Sequence, residues 1–356
     1  MNARCAIITG VSGQDGAYLA RLLLEKGYRV FGATRDPGGT PARLEALELT
    51  DRVELVAHPG ADLAAWRALL AAHAPQEVYN LAAQSSVVTA LRQPYETTLS
   101  NAMEPVALFE AARLDRPDLR IFQAGSVQVF GPAMGAPGAP ESFAPTNLYG
   151  STKLFAHFAG KAYRADHKLF IASAAMSAHE SPLRGEDFLS RKVVKTLAAV
   201  RAGKANELRV GNLDAQRDWG YAPDFVEGMH AALQADEPFD YVFATGVAQR
   251  VRDLIECAAA NFGFVLAWSG QGVNEIGVDL KTNRQIVSVD PAFFRPFDET
   301  PPALDISEAR SRLGWAPRTT FKTMIAQMCE ADLVRISDPG GERAIVGSIR
   351  ATEVRG

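Results

Sequence analysis

Residues 4–16 read Arg4-Cys-Ala-Ile-Ile-Thr-Gly10-Val-Ser-Gly13-Gln-Asp-Gly16. The apolar run before Gly10 has no polar alternation, which is typical of a parallel strand covered on both faces. An amphipathic helical stretch follows the glycines and closes on Gly27. Glycines spaced Gly-x-x-Gly-x-x-Gly between a strand and a helix let backbone N–H groups approach a diphosphate. A plain turn would also use glycine, but this strand–turn–helix context favours a dinucleotide-binding site.

Short apolar runs alternate with helical stretches up to about residue 172. Strands are predicted at 29–34, 53–57, 77–81, 120–123 and 169–172, with helices around 63–72 and 102–114. This alternation predicts an α/β fold with a Rossmann-type doubly wound parallel sheet. After residue 172 the alternation weakens. The elements predicted there are helices at 188–203, 223–234 and 251–262, a strand at 241–245 and proline-rich loops near 291–302.

These elements predict two domains and a tail. We expect a dinucleotide-binding Rossmann domain over 1–172, to which the chain returns near 217–247. A smaller, discontinuous α/β domain over 173–337 is expected to bind substrate. Residues 338–356 have little apolar periodicity and are expected to form a loosely docked tail.

The composition excludes several classes of protein. With 47% hydrophobic and 22% charged residues in 356, the chain is typical of globular proteins, and its net charge of −4 provides no basic field for nucleic acid. The three cysteines are far apart and the six histidines form no ligand cluster, so we expect no disulfide framework and no metal. Without a leader or a membrane-spanning apolar run, we expect a cytoplasmic protein with no membrane partner.

The end of the second strand indicates which cofactor binds. NAD sites usually have an acidic residue there to hold the ribose 2′-hydroxyl. Thr34 and Arg35 stand in that place, and because a guanidinium can pair with a 2′-phosphate, NADP is favoured over NAD. Asp36 leaves an alternative open, since it could face the ribose or pair with Arg35. Asp62, after the third strand, is placed either to touch the adenine or to cap the next helix.

Two segments further along the chain indicate the chemistry. Tyr149-Gly-Ser-Thr-Lys153 places a tyrosine and a lysine on one helix face, and Phe122-Gln-Ala-Gly-Ser-Val-Gln-Val-Phe-Gly131 places Ser126 after a strand. Such a pair alone is more often a chance surface feature, but it occurs once among eight tyrosines, where a dinucleotide fold needs it. The set predicts a short-chain dehydrogenase/reductase. Tyr149 would move a proton, Lys153 would lower its pKa and hold the cofactor ribose, and Ser126 would orient the reacting hydroxyl.

From Ala6 to about Leu333 the chain resembles the GDP-mannose 4,6-dehydratases, extended short-chain dehydrogenase/reductases that modify nucleotide sugars. The motifs that carry the resemblance are Gly10–Gly16, Tyr79–Ser86, His179-Glu-Ser-Pro182 with Arg184-Gly185, Gly211-Asn-Leu-Asp-Ala-Gln-Arg-Asp-Trp-Gly220 and Phe294-Arg-Pro296. The resemblance implies a GDP-sugar substrate and a homodimer or homotetramer. Arg43 matches a loop residue through which tetramers of the family touch a neighbour's cofactor.

The resemblance also implies which residues bind the ligands. Cofactor contacts are expected at Gly10, Gly13, Gln14, Asp15, Gly16, Arg35, Asp62, Leu63, Leu81, Tyr149, Lys153 and His179, and substrate contacts at Ser85, Glu180, Arg184, Lys192, Gly211, Arg217, Arg295 and Asp298. Arg217 and Arg295 match positions that hold the diphosphate, a role suited to a planar guanidinium. Each could instead be a solvated surface charge. Asp298 matches a carboxylate that reaches the GDP ribose, and Lys192 is expected near the guanosine end.

The chain departs from the family pattern at the residues of the sugar chemistry. In the family, oxidation at C4 is followed by removal of the C5 proton and loss of the C6 hydroxyl, and hydride then returns to C6. A Glu two residues after the Ser/Thr transfers these protons. Gln128 stands at that position here, and a carboxamide cannot act as a base near neutral pH. Ala178, Ser86 and Phe130 replace the family's Asn, His and Tyr.

Three functions are compatible with this sequence. The first is a GDP-hexose 4,6-dehydratase in which another group replaces the Glu, and the whole-chain resemblance favours it. The second keeps Ser126, Tyr149 and Lys153 for hydride chemistry without loss of water, as in a 4-epimerase or a 4-keto-sugar reductase, and Gln128 favours it. The third is a catalytically silent NADP/GDP-sugar binding protein, against which the intact Tyr149–Lys153 pair argues.

Overall fold

The computed structural model describes residues 3–131, 143–294 and 304–337. Its helices are α1 (Gln14–Glu25), α2 (Ala42–Ala46), α3 (Leu63–His73), α4 (Val87–Arg92), α5 (Pro94–Thr98), α6 (Glu104–Asp115), α7 (Leu148–His167), α8 (Leu189–Arg201), α9 (Ala222–Gln234), α10 (Val251–Asn261), α11 (Ser307–Leu313) and α12 (Phe321–Ser337). Its strands are β1 (Cys5–Thr9), β2 (Arg29–Thr34), β3 (Glu54–Ala57), β4 (Glu77–Asn80), β5 (Arg120–Ala124), β6 (Phe170–Met176), β7 (Ala178–Glu180), β8 (Leu208–Val210), β9 (Gln216–Tyr221), β10 (Asp240–Phe243), β11 (Ala248–Arg250), β12 (Leu266–Ser269), β13 (Ile276–Asp279) and β14 (Arg284–Val289).

A seven-stranded parallel sheet forms the centre of the first structural unit. That unit comprises Met1–Ser177, Ala222–Gly246 and Pro302–Pro317. The strand order is β10-β6-β5-β4-β1-β2-β3, and all of these pairings are parallel. The order reverses between β1 and β4, and α/β sheets bind ligands at the carboxyl ends of the strands at such a switch point. The predicted Rossmann-type α/β fold is confirmed.

The apolar runs predicted as strands lie in the core of this unit. All residues of β1 are buried, as expected for a strand covered on both faces. α3 and α6 cover the sheet, with Trp66, Leu108 and Phe109 fully buried beside Ile7. Burial of each such side chain contributes about 1.5–3 kcal/mol to stability. This packing makes the sheet a rigid support for the loops at its carboxyl edge.

The boundary of the first unit differs from the sequence expectation. β6 continues to Met176 beyond the expected end at 172, so residues 173–177 belong to the first unit. The chain returns with α9 and β10, and it returns again over 302–317, which the sequence did not predict. In this second return the indole N–H of Trp315 donates to the carbonyl oxygen of Asp224 at 2.7 Å.

The second unit comprises Ala178–Tyr221, Val247–Pro301 and Arg318–Gly356. It contains a three-stranded sheet of order β11-β9-β7 and a four-stranded sheet of order β12-β13-β14-β8. A buried ion pair between Arg191 and Asp332 joins α8 to α12. The strands of these sheets were not predicted, because segments of three to six residues carry too little period-two pattern. The expected tail over 338–356 lies outside the described residues.

None of the helices within 3–131, 143–294 and 304–337 is long and apolar enough to cross a bilayer.

Candidate active site

The glycine loop after β1 is shaped by close backbone contacts. Gly10 has φ +68°, and a Cβ there would lie 3.0 Å from the backbone nitrogen of Ala82 in the loop after β4. Gly13 donates its N–H to the carbonyl oxygen of Gly10 at 2.8 Å and precedes α1. A Cβ at Gly16 would collide with the same carbonyl. The loop therefore opens the N-terminus of α1 at the sheet's carboxyl edge, a geometry that suits a diphosphate.

A buried polar ladder ties the carboxyl ends of β1, β4 and β5 together. Thr9 donates its hydroxyl to Asn80 at 2.8 Å and accepts the backbone N–H groups of Leu81 and Ala82. Asn80 in turn donates its amide to Gln123 at 2.8 Å. The ladder holds the loop that carries Leu81 against the glycine loop. Sequence reasoning did not identify Thr9 and Gln123, although a polar residue near the end of each apolar strand was a usable signal.

Arg35 is exposed at the end of β2. Among the described residues the structure records no ion pair between Arg35 and Asp36. The Asp36 carboxylate instead turns back over its own loop, where a Cβ on Gly39 would meet it. Arg43 donates to the carbonyl oxygen of Ser12 at 3.0 Å, so this guanidinium lies over the glycine loop of its own chain.

Four further expected cofactor contacts lie at the starts of helices. Asp62 accepts the N–H groups of Ala64 and Ala65 at 2.8 and 3.1 Å and is the N-cap of α3, whose first residue is Leu63. Asp62 therefore caps this helix, as one of the two alternatives predicted, and a contact between Asp62 and adenine stays a prediction. Gln14 and Asp15 form the first turn of α1, with the Gln14 amide 3.0 Å from the Asp15 carboxylate.

Tyr149 and Lys153 are buried one turn apart on α7. Their exposed fractions are 7% and 4%, so neither side chain lies on an exposed helix face. The Lys153 ammonium donates to the carbonyl oxygen of Ala124 at 3.0 Å. Burial lowers the pKa of Lys153 to about 8. Below that pH the lysine is charged, and a cation beside a phenol stabilises the phenolate.

Ser126 and Gln128 follow β5 and lie against the first turn of α7. The Ser126 hydroxyl accepts the backbone N–H of Gln128 at 3.2 Å. The Asn147 amide donates to Oε1 of Gln128 at 3.1 Å and accepts the backbone N–H of Gly150 at 2.9 Å. Together with the Lys153–Ala124 contact, these bonds hold the segments of all four predicted catalytic residues together. Asn147 was missed by sequence reasoning, and its signal was the N-cap position before α7.

The loop that carries Ser85 is held by a residue that sequence reasoning missed. Asn101 is buried in a π-helical turn, Leu99–Met103, and exchanges hydrogen bonds of 2.9 Å with the backbone N–H and carbonyl of Gln84. Its amide also donates to Thr152 of α7 at 3.3 Å. Ser85 itself is exposed, and the neighbouring Ser86 is the N-cap of α4. Ser86 thus has a structural role here.

In the second unit, Glu180 and Arg184 form a local ion pair. Glu180 is 2% exposed and accepts the Ser190 hydroxyl at 2.5 Å, while Nε of Arg184 lies 3.0 Å from the same carboxylate. The Arg184 guanidinium lies 3.5 Å from the ring centroid of Phe188. Glu180 therefore orients Arg184. His179 precedes Glu180 on β7 and is also buried.

Lys192 and Gly211 meet at Phe293, which was not predicted as a site residue. The Lys192 ammonium lies 4.0 Å from the centroid of the Phe293 ring, and burial lowers the pKa of Lys192. A Cβ on Gly211 would collide with the Phe293 carbonyl. Arg217 lies on β9 and donates to the carbonyl oxygen of Gln216 at 2.6 Å. The predicted contacts at Arg295 and Asp298 lie outside the described residues.

Within the described ranges no group of three or more His, Cys, Asp or Glu side chains is arranged to hold a metal ion.

Solved structures with the same fold include sugar-nucleotide enzymes. A UDP-glucose 4-epimerase from Thermotoga maritima, solved with UDP-glucose, superposes with a TM-score of 0.75 at 18% identity and covers 94% of this chain and 99% of its own. A dTDP-glucose 4,6-dehydratase from Bacillus anthracis, solved with NAD, has a TM-score of 0.76 at 15% identity and covers 96% and 100%. At these identities the likeness establishes the fold alone.

Sequence relatives identify the family. The GDP-mannose 4,6 dehydratase family profile matches residues 7–328. A GDP-mannose 4,6-dehydratase of Sinorhizobium fredii is 37% identical over 339 residues, covering 93% of this chain and 97% of that protein. The Cricetulus griseus protein of the same name is 33% identical over 340 residues, covering 93% and 91%. The chain belongs to the GDP-mannose 4,6-dehydratase family of nucleotide-sugar-modifying short-chain dehydrogenase/reductases.

Proposed function

We propose that this chain uses NADP to oxidise or reduce C4 of a GDP-hexose and lacks the base with which the family removes water. The observation that carries the proposal is the placement of Gln128 beside the buried Tyr149–Lys153 pair. The pair supplies proton transfer at the C4 oxygen. The carboxamide offers no proton acceptor for C5 near neutral pH.

The residues around the glycine loop fit a nicotinamide dinucleotide. Glycine at positions 10 and 16 allows the close backbone packing of this turn at the N-terminus of α1, where backbone N–H groups suit a diphosphate, and the Lys153 ammonium is buried at the carboxyl end of β5. When bound, the cofactor supplies hydride transfer. Arg35, exposed at the end of β2, supports NADP over NAD, because a guanidinium pairs well with a 2′-phosphate.

This preference can be measured as a ratio of affinities. We expect the protein to bind NADP more tightly than NAD, and Arg35→Ala to remove most of the difference. A charge-assisted contact is worth about 1–3 kcal/mol, or about 5- to 150-fold in affinity. Arg29→Ala is the matched control, because Arg29 is an exposed arginine on the same strand that pairs with Glu54. Equal affinity of the unmodified protein for NADP and NAD would overturn the assignment.

The proposed steps at the sugar follow from the side chains. Tyr149 accepts the proton of the C4 hydroxyl as C4 is oxidised, and the Lys153 charge lowers the pKa of that phenol. Ser126 orients the C4 oxygen. With Gln128 beside C5 and C6, the 4-keto sugar keeps its C6 oxygen. In a 4-epimerase, Tyr149 would return the proton to the C4 oxygen on reduction from the opposite face, and in a 4-keto-sugar reductase it would donate that proton while the reduced form of the cofactor would supply the hydride.

The second candidate is 4,6-dehydration with another group as the base. Family membership favours it, since the relatives of known name are dehydratases. Incubation with GDP-mannose followed by mass spectrometry separates the candidates, because dehydration lowers the product mass by one water and epimerisation leaves it unchanged. A silent binding protein would give neither loss of water nor a C4 epimer, and the cost of burying the Lys153 charge without catalytic use argues against it.

The nucleotide is assigned to cationic residues of the second unit. Arg184 is oriented by Glu180, Lys192 lies against Phe293, and Arg217 lies on β9. A planar guanidinium suits a diphosphate. These contacts, together with the family motifs that contain them, support GDP as the nucleotide.

Thermal protection tests this assignment. GDP should raise the melting temperature more than UDP or dTDP does at equal concentration, because only a ligand bound to the folded state stabilises it. Arg217→Ala should weaken GDP protection and leave NADP protection intact. Arg201→Ala serves as the control, since this arginine at the end of α8 is exposed. If UDP stabilised the protein as well as GDP, the guanine assignment would be wrong.

A further inference from the structure

The Gln128 carboxamide has one orientation, and a backbone group determines it. The N–H of Gly150 can only donate, and it donates to Oδ1 of Asn147 at 2.9 Å. Nδ2 of the Asn147 amide therefore faces Gln128. Because Nδ2 can only donate, the Gln128 atom that it contacts must be an acceptor. Oε1 of Gln128 fills that role at 3.1 Å. The orientation rests on the backbone donor, so it does not depend on how either amide was assigned.

The two amides are also held at a fixed separation. A Cβ at residue 150 would collide with the carbonyl oxygen of Gln128, so only glycine allows this approach of the two segments. Ser126 accepts the backbone N–H of Gln128 at 3.2 Å. Asn147 is the N-cap of α7, a helix that ends at His167. These contacts give Gln128 little freedom to turn.

With Oε1 occupied by Asn147, the other end of the Gln128 amide is its Nε2 group. Gln128 is half-buried, and no described residue receives a hydrogen bond from Nε2. A half-buried NH2 group is stabilised when it donates a hydrogen bond to an accepting partner. The side chain therefore presents a donor at the position where the family has a carboxylate.

We propose that Asn147 is a positioning residue that makes Gln128 donate to the substrate, and that this pair selects a hexose with an accepting oxygen on C6, either a hydroxyl or a carboxylate. The inference rests on the proposed function, because a GDP-hexose substrate bound as proposed would have C5 and C6 beside residue 128. The family's Glu accepts a proton during expulsion of the C6 oxygen. The amide here holds that oxygen in place.

The test compares three GDP-sugars by equilibrium binding to the NADP complex. GDP-mannose has a C6 hydroxyl, GDP-mannuronate has a C6 carboxylate that only accepts at neutral pH, and GDP-6-deoxymannose has no C6 oxygen. The unmodified protein should bind GDP-mannose about 3- to 10-fold more tightly than GDP-6-deoxymannose, the effect of one neutral hydrogen bond. GDP-mannuronate should also bind more tightly than the deoxy sugar. Gln128→Leu should abolish both differences.

Variants of Asn147 test the positioning role. Asn147→Asp keeps the helix cap but offers Gln128 an acceptor. The Gln128 amide should therefore rotate, so that Nε2 donates to Asp and Oε1 faces the sugar. GDP-mannuronate should then bind at least about 10-fold more weakly, while GDP-mannose changes little because its hydroxyl can donate instead. Asn147→Ser keeps the cap without adding charge. Asn147→Ser should weaken the binding of GDP-mannuronate less than Asn147→Asp does. If Asn147 had a purely structural role, its substitution would weaken the binding of all three ligands equally.

The outcomes separate this inference from the proposed function. If GDP-6-deoxymannose binds the unmodified protein as tightly as GDP-mannose, or if Asn147→Asp and Asn147→Ser leave GDP-mannuronate unchanged, the inference is wrong while GDP-sugar binding stands. If none of the three GDP-sugars binds, the proposed function itself fails. Melting temperature and NADP affinity, measured for each variant, show that the fold and the cofactor site are preserved.

Discussion

Gln128→Glu should raise the rate of water loss from GDP-mannose by about 10²–10⁴-fold, the usual contribution of a general base. Oε1 of Gln128 already accepts the Asn147 amide, and a carboxylate can keep that bond. Its second oxygen would then occupy the place of Nε2 and remove the C5 proton. The measurement is the rate of formation of the 4-keto-6-deoxy product by mass spectrometry, with NADP bound.

Gln128→Leu is the control for this substitution, because it fills similar space without a base and should show no gain. The gain also requires the sugar to dock with C5 beside residue 128. Rapid release of the 4-keto-6-deoxy product by the unmodified enzyme would mean that another residue is the base. If neither form dehydrates but C4 epimers interconvert, the chain is a 4-epimerase.

Tyr149→Phe should lower the rate of hydride transfer at C4 by about 10²–10⁴-fold, because it removes the group that exchanges a proton with the C4 oxygen. Tyr149 is buried on α7 one turn before Lys153, which is positively charged below a pH of about 8. The substitution removes one oxygen and keeps the ring, so the packing of α7 should survive. The measurement is single-turnover formation of reduced cofactor, followed by its absorbance.

Tyr163→Phe is the matched control for Tyr149→Phe. Tyr163 lies on the same helix and donates to Glu110 at 3.0 Å, so its loss changes stability rather than hydride transfer. The NADP affinity of the Tyr163→Phe protein should equal that of the unmodified protein. A Tyr149→Phe protein with an unchanged single-turnover rate would show that another group exchanges the proton, and the assignment of Tyr149 would have to be withdrawn.

Much of the first unit could be predicted because its signals are local. A continuous apolar run is typical of a covered parallel strand, and β1 is found at Cys5–Thr9. The steric need for glycine at Gly16 arises within one strand–turn–helix segment, because a Cβ there would collide with the carbonyl oxygen of Gly10. The spacing of Tyr149 and Lys153 follows from the helical repeat. Such features depend on neighbours within a few residues, so the sequence alone identifies them.

Other features required the tertiary structure. The return over 302–317 depends on Trp315 meeting Asp224, far away in sequence. The short strands of the second unit are stabilised by pairing partners, since three residues have no strand preference strong enough to predict. The ladder through Thr9, Asn80 and Gln123 forms because the sheet brings three strand ends together.

By itself, the sequence determined the dinucleotide-binding architecture, the family motifs and the identity of the residue at position 128. Only the tertiary structure determined which atom of its side-chain amide is left to contact a substrate. The orientation of the Gln128 amide depends on Asn147, and that of Asn147 depends on the backbone N–H of Gly150. A side-chain amide has a donor and an acceptor end of equal size, so its direction is set by the partners that the fold places around it.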